Sequence, residues 1–400
     1  MSRRRVKITG IGPVTPAGIG RDAFWNGIQE SVSRVRLIDR FAPEAGSFVA
    51  AEVDGFRLND YAEDVSAKRM PRHTQFAVAA AALAVKDAGL NLRDLGKIST
   101  LIQVGSSLMD FGVINKTVEM IMKKGPIHGL PSSVYSASVS AIGGAIGEMI
   151  GGTSRTMALQ SACCAGLDSI GHAAAAIARG EVEVAICGGT ESPLYFHPML
   201  ELRLAGLAPG SPDAPHRQCR PFDLWRTTGV IGEGACVLIL EPEESPRQGY
   251  AFVDGYSFVT DPAAQPGVGL REAMRLAIAN AGYRPHEVDV INAWGPGHRL
   301  IDAAEATAIQ DVFGDETKQT AAVSIKGAIG NPLGAAGAIQ VGCAALGLVH
   351  GVVPPTVNWD YPDPACPLAL SASSRVLPHR VTAVNSHGLS GTNACLIISR

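Results

Sequence analysis

The stretch Ala84-Val85-Lys86-Asp87-Ala88-Gly89-Leu90 ends an Ala-rich helical pattern at a glycine, and a charged turn then leads into a strand-like run that ends at Val104-Gly105. The second half repeats this order: Ala277-Ile278-Ala279-Asn280-Ala281-Gly282-Tyr283 precedes a similar turn and a run that ends at Trp294-Gly295. Glycine is the common stop after a helix. A chance match between two Ala-rich helices is the alternative, but the order of elements favours two duplicated halves packed as one body. The predicted halves are 1–240 and 245–400.

The rest of the chain alternates short runs rich in Val and Ile with Ala-rich helical stretches. This alternation predicts an α/β fold with a mainly parallel sheet covered by helices. The predicted strands are 100–104, 183–186, 237–240, 288–293 and 383–385. The predicted helices are 75–87, 167–179, 270–281 and 338–348. The Pro- and Gly-rich segment 206–215 is predicted to be a long surface loop.

Composition excludes several classes of protein. The chain has 400 residues, of which 46% are hydrophobic, enough for a large core. A net charge of -3 disfavours a general nucleic-acid binder, and no apolar run of about 18 residues lacks a polar interruption, so we predict no membrane span. The basic start leads straight into a strand-like run without a signal-peptide core, which predicts a cytoplasmic protein. The eight cysteines form no CxxC pair or zinc spacing, so no metal is expected.

Four motifs follow one another along the chain. They are Val6-Lys7-Ile8-Thr9-Gly10-Ile11-Gly12-Pro13-Val14-Thr15-Pro16-Ala17-Gly18, Arg220-Pro221-Phe222-Asp223 with Gly232-Glu233-Gly234-Ala235, Val352-Val353-Pro354-Pro355-Thr356-Val357-Asn358, and Asn385-Ser386-His387-Gly388-Leu389-Ser390-Gly391-Thr392-Asn393. Because these motifs occur in this order and at these separations, the chain resembles the β-ketoacyl-acyl-carrier-protein synthases. The resemblance implies a thiolase-like fold with five αβαβα layers. It also implies substrates carried on the phosphopantetheine of acyl carrier protein, and no other cofactor.

The segment Ser161-Ala162-Cys163-Cys164-Ala165-Gly166 resembles the family's nucleophile motif, in which the reactive cysteine stands three residues before the glycine. The resemblance therefore selects Cys163. We expect this residue in a turn that opens an Ala-rich helix, where free backbone N–H groups and the helix dipole would stabilise a thiolate. Cys164 is expected to pack inward. The alternative is a buried, inert pair of cysteines.

The two histidines that the resemblance implies for decarboxylation and enolate stabilisation are replaced. Trp294 stands at the first position and Asn331 at the second. Tryptophan and asparagine cannot exchange protons near neutral pH, although both can donate hydrogen bonds to an oxyanion. The family's lysine and acidic pair remain, but an amide replaces the glutamate that usually completes the charge network of the lysine. These supporting residues are Lys326, Asp302, Glu305 and Gln340.

Two other histidines occupy positions that the resemblance places near the reactive cysteine. His298, with Pro296, falls in the phosphopantetheine tunnel, and His387 takes the place of an aromatic residue beside the cysteine. A Cys163–His387 pair could transfer or hydrolyse an acyl group; the alternative is that both histidines pack as polar aromatics. The family's Gly-Phe-Gly-Gly gate reads Gly388-Leu389-Ser390-Gly391, and the backbone N–H groups of Cys163 and Leu389 would form the oxyanion hole.

A basic group of residues is the candidate docking site for an acidic carrier-protein helix, with ordinary solvated surface as the alternative. This group is Lys68, Arg69, Arg72, Lys123 and Lys124.

Gly295-Pro296-Gly297-His298-Arg299 and Gly166-Leu167-Asp168-Ser169 are similar to the type II polyketide ketosynthases and chain-length factors. Chain-length factors have also lost both histidines, but they typically lack the cysteine as well. We therefore predict a non-condensing subunit that forms a homodimer or a heterodimer with an active ketosynthase. The alternatives are a Cys163-dependent acyltransferase that uses acyl carrier protein or coenzyme A thioesters, and a residual 3-oxoacyl-carrier-protein synthase.

Overall fold

The computed structural model describes residues 4–41, 46–263 and 265–400. Its helices are α1 Arg21–Gln29, α2 Arg72–Asp87, α3 Leu92–Leu95, α4 Phe111–Lys124, α5 Ser133–Ser136, α6 Ser140–Ile150, α7 Ala165–Ala178, α8 Phe196–Leu204, α9 Val268–Asn280, α10 Arg299–Phe313, α11 Lys326–Ile329 and α12 Ala336–His350. Its strands are β1 Val6–Thr15, β2 Gly18–Ile19, β3 Val35–Ile38, β4 Phe48–Ala51, β5 Thr100–Gly105, β6 Arg155–Met157, β7 Val184–Glu191, β8 Ile231–Gly232, β9 Gly234–Pro242, β10 Ala251–Thr260, β11 Val290–Asn292, β12 Ala321–Val323, β13 Val352–Val353, β14 Arg375–Val376, β15 Val381–His387 and β16 Thr392–Ser399.

The predicted helices and strands are confirmed in type and approximate position, but the prediction of a mainly parallel sheet is wrong. The large sheet runs β12-β11-β15-β16-β10-β1-β9-β7-β5-β6. Only its two ends are parallel, and its five central pairings, from β15–β16 to β9–β7, are antiparallel. Helices cover both faces, so antiparallel strands here carry the same continuous apolar runs as parallel ones. Composition therefore could not reveal strand direction.

The two halves of this sheet and three layers of helices make up five layers. Helices α2 and α6 cover the strands of the first half, α9 covers those of the second half, and α10 packs against α9. Helices α7 and α12 lie between the halves and contact strands of both. The stretch Leu333–His350, which includes α12, has the length and hydropathy of a membrane span, but 89% of it is buried in the protein, as in a core helix. The start of α7, where Cys163 lies, is thereby held at the centre of the molecule.

The repeated stretches make matching contacts in the two halves. A Cβ on Gly10 of β1 would meet the carbonyl of Ala84 in α2 and lie 2.9 Å from the Cβ of Ala88. A Cβ on Gly255 of β10 would meet the carbonyl of Ala277 in α9 and lie 2.8 Å from the Cβ of Ala281. Both strands carry a register irregularity at this glycine. The close helix–strand contact therefore explains why each copy has a glycine here.

We expect Gly10→Ala and Gly255→Ala each to lower the free energy of unfolding by about 1–3 kcal/mol, because the added methyl group meets backbone atoms that cannot move aside. Gly144→Ala is the control, since its Cβ would meet nothing within 4 Å on helix α6. It should be neutral or slightly stabilising. Urea unfolding of the three variants tests this prediction. If Gly10→Ala or Gly255→Ala left the free energy of unfolding unchanged, the two helix–strand contacts would not be equivalent.

Candidate active site

One cavity collects most of the predicted site residues. Its volume is about 30 Å³, room for only one or two water molecules. The predicted residues that line it are Cys163, Trp294, Pro296, His298, Asn331, His387 and Leu389. Its other walls are Leu207, Gly229, Ile231, Ile301 and Leu333, so the lining is mostly apolar. Residues from both halves thus meet at the N-terminal end of α7.

Cys163 lies in a tight turn that the end of the chain holds in place. A 3₁₀ turn over Ala162–Cys164 leads into α7, and Ala162 has a φ of 51°, in the left-handed region that non-glycine residues seldom adopt. Ser386 donates to the carbonyl oxygen of Cys163 at 3.2 Å, and Thr392 donates to that of Ser161 at 3.3 Å. The turn therefore keeps its strained geometry through contacts with β15 and β16.

The thiol of Cys163 is buried, with 5% of the residue exposed. This burial, followed by the nearby carboxylate of Glu191, raises the pKa of the thiol to about 12. The backbone N–H groups of Leu389 and Cys163 and the charge of Lys326 act in the opposite direction and are outweighed. The backbone N–H groups of the turn therefore lower the pKa of the thiol as expected, but the loss of hydration outweighs them. Cys164 packs inward as predicted, 1% exposed.

The gate loop closes directly over this turn. A Cβ on Gly388 would lie 3.1 Å from the Cβ of Ala162, so the backbone can approach the turn only without a side chain. Leu389 lines the cavity and is otherwise exposed to solvent. Its backbone N–H acts on the Cys163 sulfur together with that of Cys163 itself. The oxyanion-hole role of these two groups stays a prediction.

Trp294 lines the cavity and contacts Lys326. The Lys326 ammonium lies over the Trp294 ring, 4.0 Å from its centroid. Lys326 also donates to Oε1 of Gln340 at 3.0 Å. The Gln340 amide in turn donates to backbone carbonyls, including that of Ala293 at 2.9 Å. An aromatic face and a neutral amide therefore surround this buried cation.

The two retained acidic residues hold the backbone of the loop that carries Trp294 and His298. Glu305 accepts hydrogen bonds from the N–H groups of Trp294 and Gly295, both at 2.8 Å, and from the amide of Asn385. Asp302 accepts from three backbone N–H groups, including that of His298 at 3.1 Å. Burial raises the pKa of Asp302 to about 7. Both carboxylates thus position the cavity wall.

Asn331 brings an unpaired polar atom to the cavity. The residue is 9% exposed, and its side-chain oxygen has no hydrogen-bond partner among the described residues. Its backbone is fixed by a hydrogen bond to Val230 at 2.7 Å. The amide can therefore bind a ligand, but it cannot take up or release a proton near neutral pH.

The two histidines differ in their contacts. His298 caps helix α10, because its Nδ1 accepts hydrogen bonds from the backbone N–H groups of Leu300 and Ile301. Burial, then the charge of Arg226, lowers the pKa of His298. His387 is instead paired through Nδ1 with Oδ1 of Asn393 at 2.6 Å. No hydrogen bond joins His387 to Cys163 in the described part of the chain.

Some of the cations predicted to dock carrier protein are already paired with carboxylates of this chain. Arg72 forms hydrogen bonds of 2.7 and 3.0 Å with the fully buried carboxylate of Glu233, so its charge is already paired, and its docking role stays a prediction. Lys123 pairs with Glu119, one helical turn away. Lys68 and Lys124 are exposed. The side chain of Arg69 lies outside the described residues.

Several site residues were missed by the sequence analysis. Glu191 ends the buried strand β7 and accepts hydrogen bonds from Ser106, Ser107 and Gly334. The sequence feature that marks Glu191 is a carboxylate at the end of an otherwise uncharged, buried run. Asn393 belongs to the terminal motif, but the motif alone predicts no role for it, because its hydrogen-bond partner depends on how the loop folds back. No three His, Cys, Asp or Glu side chains form a metal-ligand set among the residues that the structure describes.

The pKa of Lys326 predicts a pH dependence of stability. Burial lowers the pKa of this amine to about 7 in the folded chain, whereas an unfolded lysine titrates near about 10.4. Between these values the unfolded chain binds a proton at Lys326 that the folded chain lacks, so Lys326 contributes a rise in the free energy of unfolding with pH, by at most about 1.4 kcal/mol per unit. In urea unfolding between about pH 7 and about pH 9, the pH slope of Lys326→Met should therefore be lower than that of the unmodified chain. The slope of the exposed Lys124→Met should equal that of the unmodified chain, and an equal slope in Lys326→Met would contradict the assignment.

Comparison with known proteins agrees with the geometry. Family models for "Beta-ketoacyl synthase, N-terminal domain" and "Beta-ketoacyl synthase, C-terminal domain" match residues 3–245 and 249–360. A putative polyketide beta-ketoacyl synthase 1 of Streptomyces cyaneus is 31% identical over 417 residues, which cover 99% of this chain and 98% of that protein. The 3-oxoacyl-[acyl-carrier-protein] synthase 2 of Staphylococcus aureus strain N315 is 32% identical over 409 residues, with the same coverage.

Solved structures show the same similarity. The ishigamide ketosynthase/chain length factor matches with a TM-score of 0.93 and 32% identity over 99% of each chain. A type II polyketide synthase acyl-carrier protein in complex with its ketosynthase, AntDE:AntF, matches with a TM-score of 0.91 and 26% identity, also over 99% of each chain. The thiolase-like fold is therefore confirmed. The chain belongs to the β-ketoacyl synthase family of fatty acid and polyketide biosynthesis.

Proposed function

We propose that this protein is a non-condensing subunit that pairs with an active ketosynthase, in the manner of a chain-length factor. The observation that carries the proposal is the composition of the cavity around Cys163. Trp294 and Asn331 line it at the positions where the family resemblance implies the two histidines. Neither residue can accept a proton from a nucleophile or promote decarboxylation by acid–base chemistry.

The surroundings of Lys326 support the same proposal. In this chain its charge faces the ring of Trp294 and the neutral amide of Gln340. Lys326 is 1% exposed and is not among the residues that line the cavity. Its charge is therefore less available to a carboxylate bound beside Cys163 than a cation in the cavity wall would be. A chain with this arrangement lacks the proton-transfer groups of the family and has no cation in the described cavity wall.

A large apolar surface supports the role of a partner subunit. Helix α4 has no buried residue within the described chain, although it carries a strong apolar stripe. Met122 near the end of α4 is 81% exposed, and Ile127 and Val134 in the segments that follow are 89% and 86% exposed. Strand β6 ends the large sheet, and all three of its residues are exposed. Apolar patches and open strand edges are typical sites of association. We call the surface formed by α4 and residues 126–135 the α4 face.

The choice of partner rests on similarity to the ishigamide ketosynthase/chain length factor. Acyl carrier protein is proposed as a second partner, supported by the similarity to AntDE:AntF, a carrier protein in complex with its ketosynthase. Its docking contacts on this chain would include Lys68 and Lys124, which are exposed. A homodimer is the alternative assembly, and a cytoplasmic location stays a prediction.

Co-expression with an active type II ketosynthase tests the proposal. We expect a one-to-one complex by native mass spectrometry, and a changed product length when this chain is omitted. Ile127→Glu with Val134→Glu should abolish the complex, because both residues lie on the α4 face. Val376→Glu is the matched control, since Val376 is equally exposed, at 86%, but lies on β14 in the other half. A stable homodimer only, with unchanged product length on its removal, would overturn the proposal.

Residual condensation is the competing function. It would use the indole N–H of Trp294 and the amide of Asn331 as hydrogen-bond donors alone. We place it last because burial keeps Cys163 protonated and the cavity wall lacks a histidine at either family position. Formation of a β-ketoacyl product by the purified chain alone would establish it instead.

A further inference from the structure

His387 and Asn393 form a pair that the proposed subunit role does not require. Nδ1 of His387 lies 2.6 Å from Oδ1 of Asn393. The Asn393 amide nitrogen donates to the carbonyl oxygens of Val259 and Gly391, which fixes the orientation of the side chain. Because Oδ1 can only accept, Nδ1 of His387 must carry the proton. Nε2 of the neutral imidazole is therefore unprotonated and can act as a base.

A carboxylate also lies near the imidazole ring of His387. Oδ2 of Asp261 is 3.9 Å from Nδ1 of His387. Asp261 is itself held by the backbone N–H of Gly269 at 2.7 Å. No partner for Nε2 is present among the described residues, and His387 lines the same cavity as Cys163. A base with a fixed tautomer thus shares an apolar cavity with a thiol.

The other parts of a nucleophilic site are also present. The backbone N–H groups of Leu389 and Cys163 point toward the Cys163 sulfur, so they would lie close to the oxygen of a carbonyl that this sulfur attacks. The thiol needs a base because it is buried and protonated. Cysteine, histidine and asparagine in these roles form a triad that recurs on unrelated folds and is identified by geometry.

We propose that Cys163, His387 and Asn393 form a thioester hydrolase site that removes acyl groups from phosphopantetheine. The substrate class, an acyl thioester, rests on the proposed function. Cys163 is the nucleophile, His387 is the general base and acid, and Asn393 is a positioning residue for the imidazole. The activity would clear acyl chains that the partner ketosynthase cannot extend.

The reaction has two balanced steps. First, the Cys163 sulfur forms a bond to the thioester carbonyl carbon, while its proton passes to Nε2 of His387 through one water molecule, for which the cavity has room. The carbon–sulfur bond to pantetheine breaks, and the departing sulfur takes the proton from His387. Second, water attacks the acyl-Cys163 carbonyl and gives its proton to Nε2. The bond to Cys163 breaks, Cys163 regains the proton, and the products are a carboxylic acid and a free thiol.

Release of octanoic acid from octanoyl-N-acetylcysteamine by the purified chain, measured by mass spectrometry, tests the site. Cys163→Ala and His387→Phe should each lower the rate by about a hundredfold or more. Cys164→Ala is the matched control, because this neighbouring buried cysteine has no part in the reaction, and its rate should be unchanged. Added imidazole should restore part of the activity of His387→Ala but not of His387→Phe, whose ring fills the space.

The kinetic constants of Asn393 variants test the positioning role of this residue separately. Asn393→Leu should lower kcat by about tenfold with KM unchanged, and Asn393→Asp should recover most of this loss because it keeps an acceptor for Nδ1–H. No acid release, release independent of Cys163 and His387, or an acyl group that stays on Cys163 would overturn the hydrolase. The one-to-one complex with the ketosynthase is measured on the same variants. Its loss would overturn the subunit role and leave the hydrolase result standing.

Discussion

Alkylation of Cys163 by iodoacetamide should be on the order of a hundredfold slower at about pH 8 than alkylation of an exposed cysteine. With a pKa of about 12, roughly one molecule in 10⁴ carries a thiolate at this pH, against about a quarter for an ordinary thiol. The greater intrinsic reactivity of the more basic sulfur recovers about 25- to 55-fold of this difference.

Intact-mass time courses measure the rate, with digestion to assign the modified residue. All eight cysteines are buried and free, so a Cys163→Ser variant separates modification of Cys163 from slow background reaction elsewhere. The rate should still be rising at about pH 10. Rapid, single-site alkylation that reaches a plateau near neutral pH would show a thiolate and would contradict the effect of burial described here.

Glu305→Ala should lower the free energy of unfolding by about 3–5 kcal/mol, because removing the carboxylate leaves several buried groups unpaired. Glu305 is 2% exposed and accepts from two backbone N–H groups and one amide, all in the wall that carries Trp294. Urea unfolding gives the free energy, and tryptophan fluorescence should report a displaced Trp294.

Glu305→Gln is the matched control for this second prediction. It keeps the volume and one acceptor oxygen but turns an amide donor toward a backbone N–H, so we expect a smaller loss of about 1–2 kcal/mol. Equal and small effects of both variants would show that the carboxylate does not organise the loop. A large effect of Glu305→Gln alone would point to the charge, through Lys326, as the dominant contribution.

Much of the fold could be predicted from local pattern. The Ala-rich helices and Val- and Ile-rich strands were found because burial on one or both faces imposes a period on the sequence. The repeat placed α2 and α9 in equivalent positions, and the contacts of Gly10 and Gly255 agree with this. Strand direction was not predictable, since β9 and β16 run antiparallel to their neighbours but are as uniformly apolar as parallel strands.

The candidate site was predictable where a motif fixes a position in space. Cys163, Trp294, Asn331 and His387 meet in one cavity although the chain separates them widely. The side-chain partners were not predictable, because they depend on contacts distant in sequence. Arg72 is an exposed cation in sequence terms, but its carboxylate partner lies 161 residues away.

The ionisation state of Cys163 also depends on contacts between residues that are distant in sequence. The turn and the helix end are local features and were expected to lower the pKa of the thiol. The burial that raises the pKa instead comes from packing against residues distant in sequence, among them Phe48, Trp294 and Leu333. Local motif and global packing therefore have opposite effects on this thiol, and packing dominates.

The central claim is that this chain supports chain extension without performing it. The most direct measurement is β-ketoacyl product formation by the mixed complex when the nucleophile is removed from one subunit at a time. Cys163→Ala in this chain should leave the condensation rate within about twofold of the unmodified complex, whereas the same change in the ketosynthase should abolish it. Loss of condensation in Cys163→Ala, with the complex intact, would show that this chain condenses after all and would contradict the account.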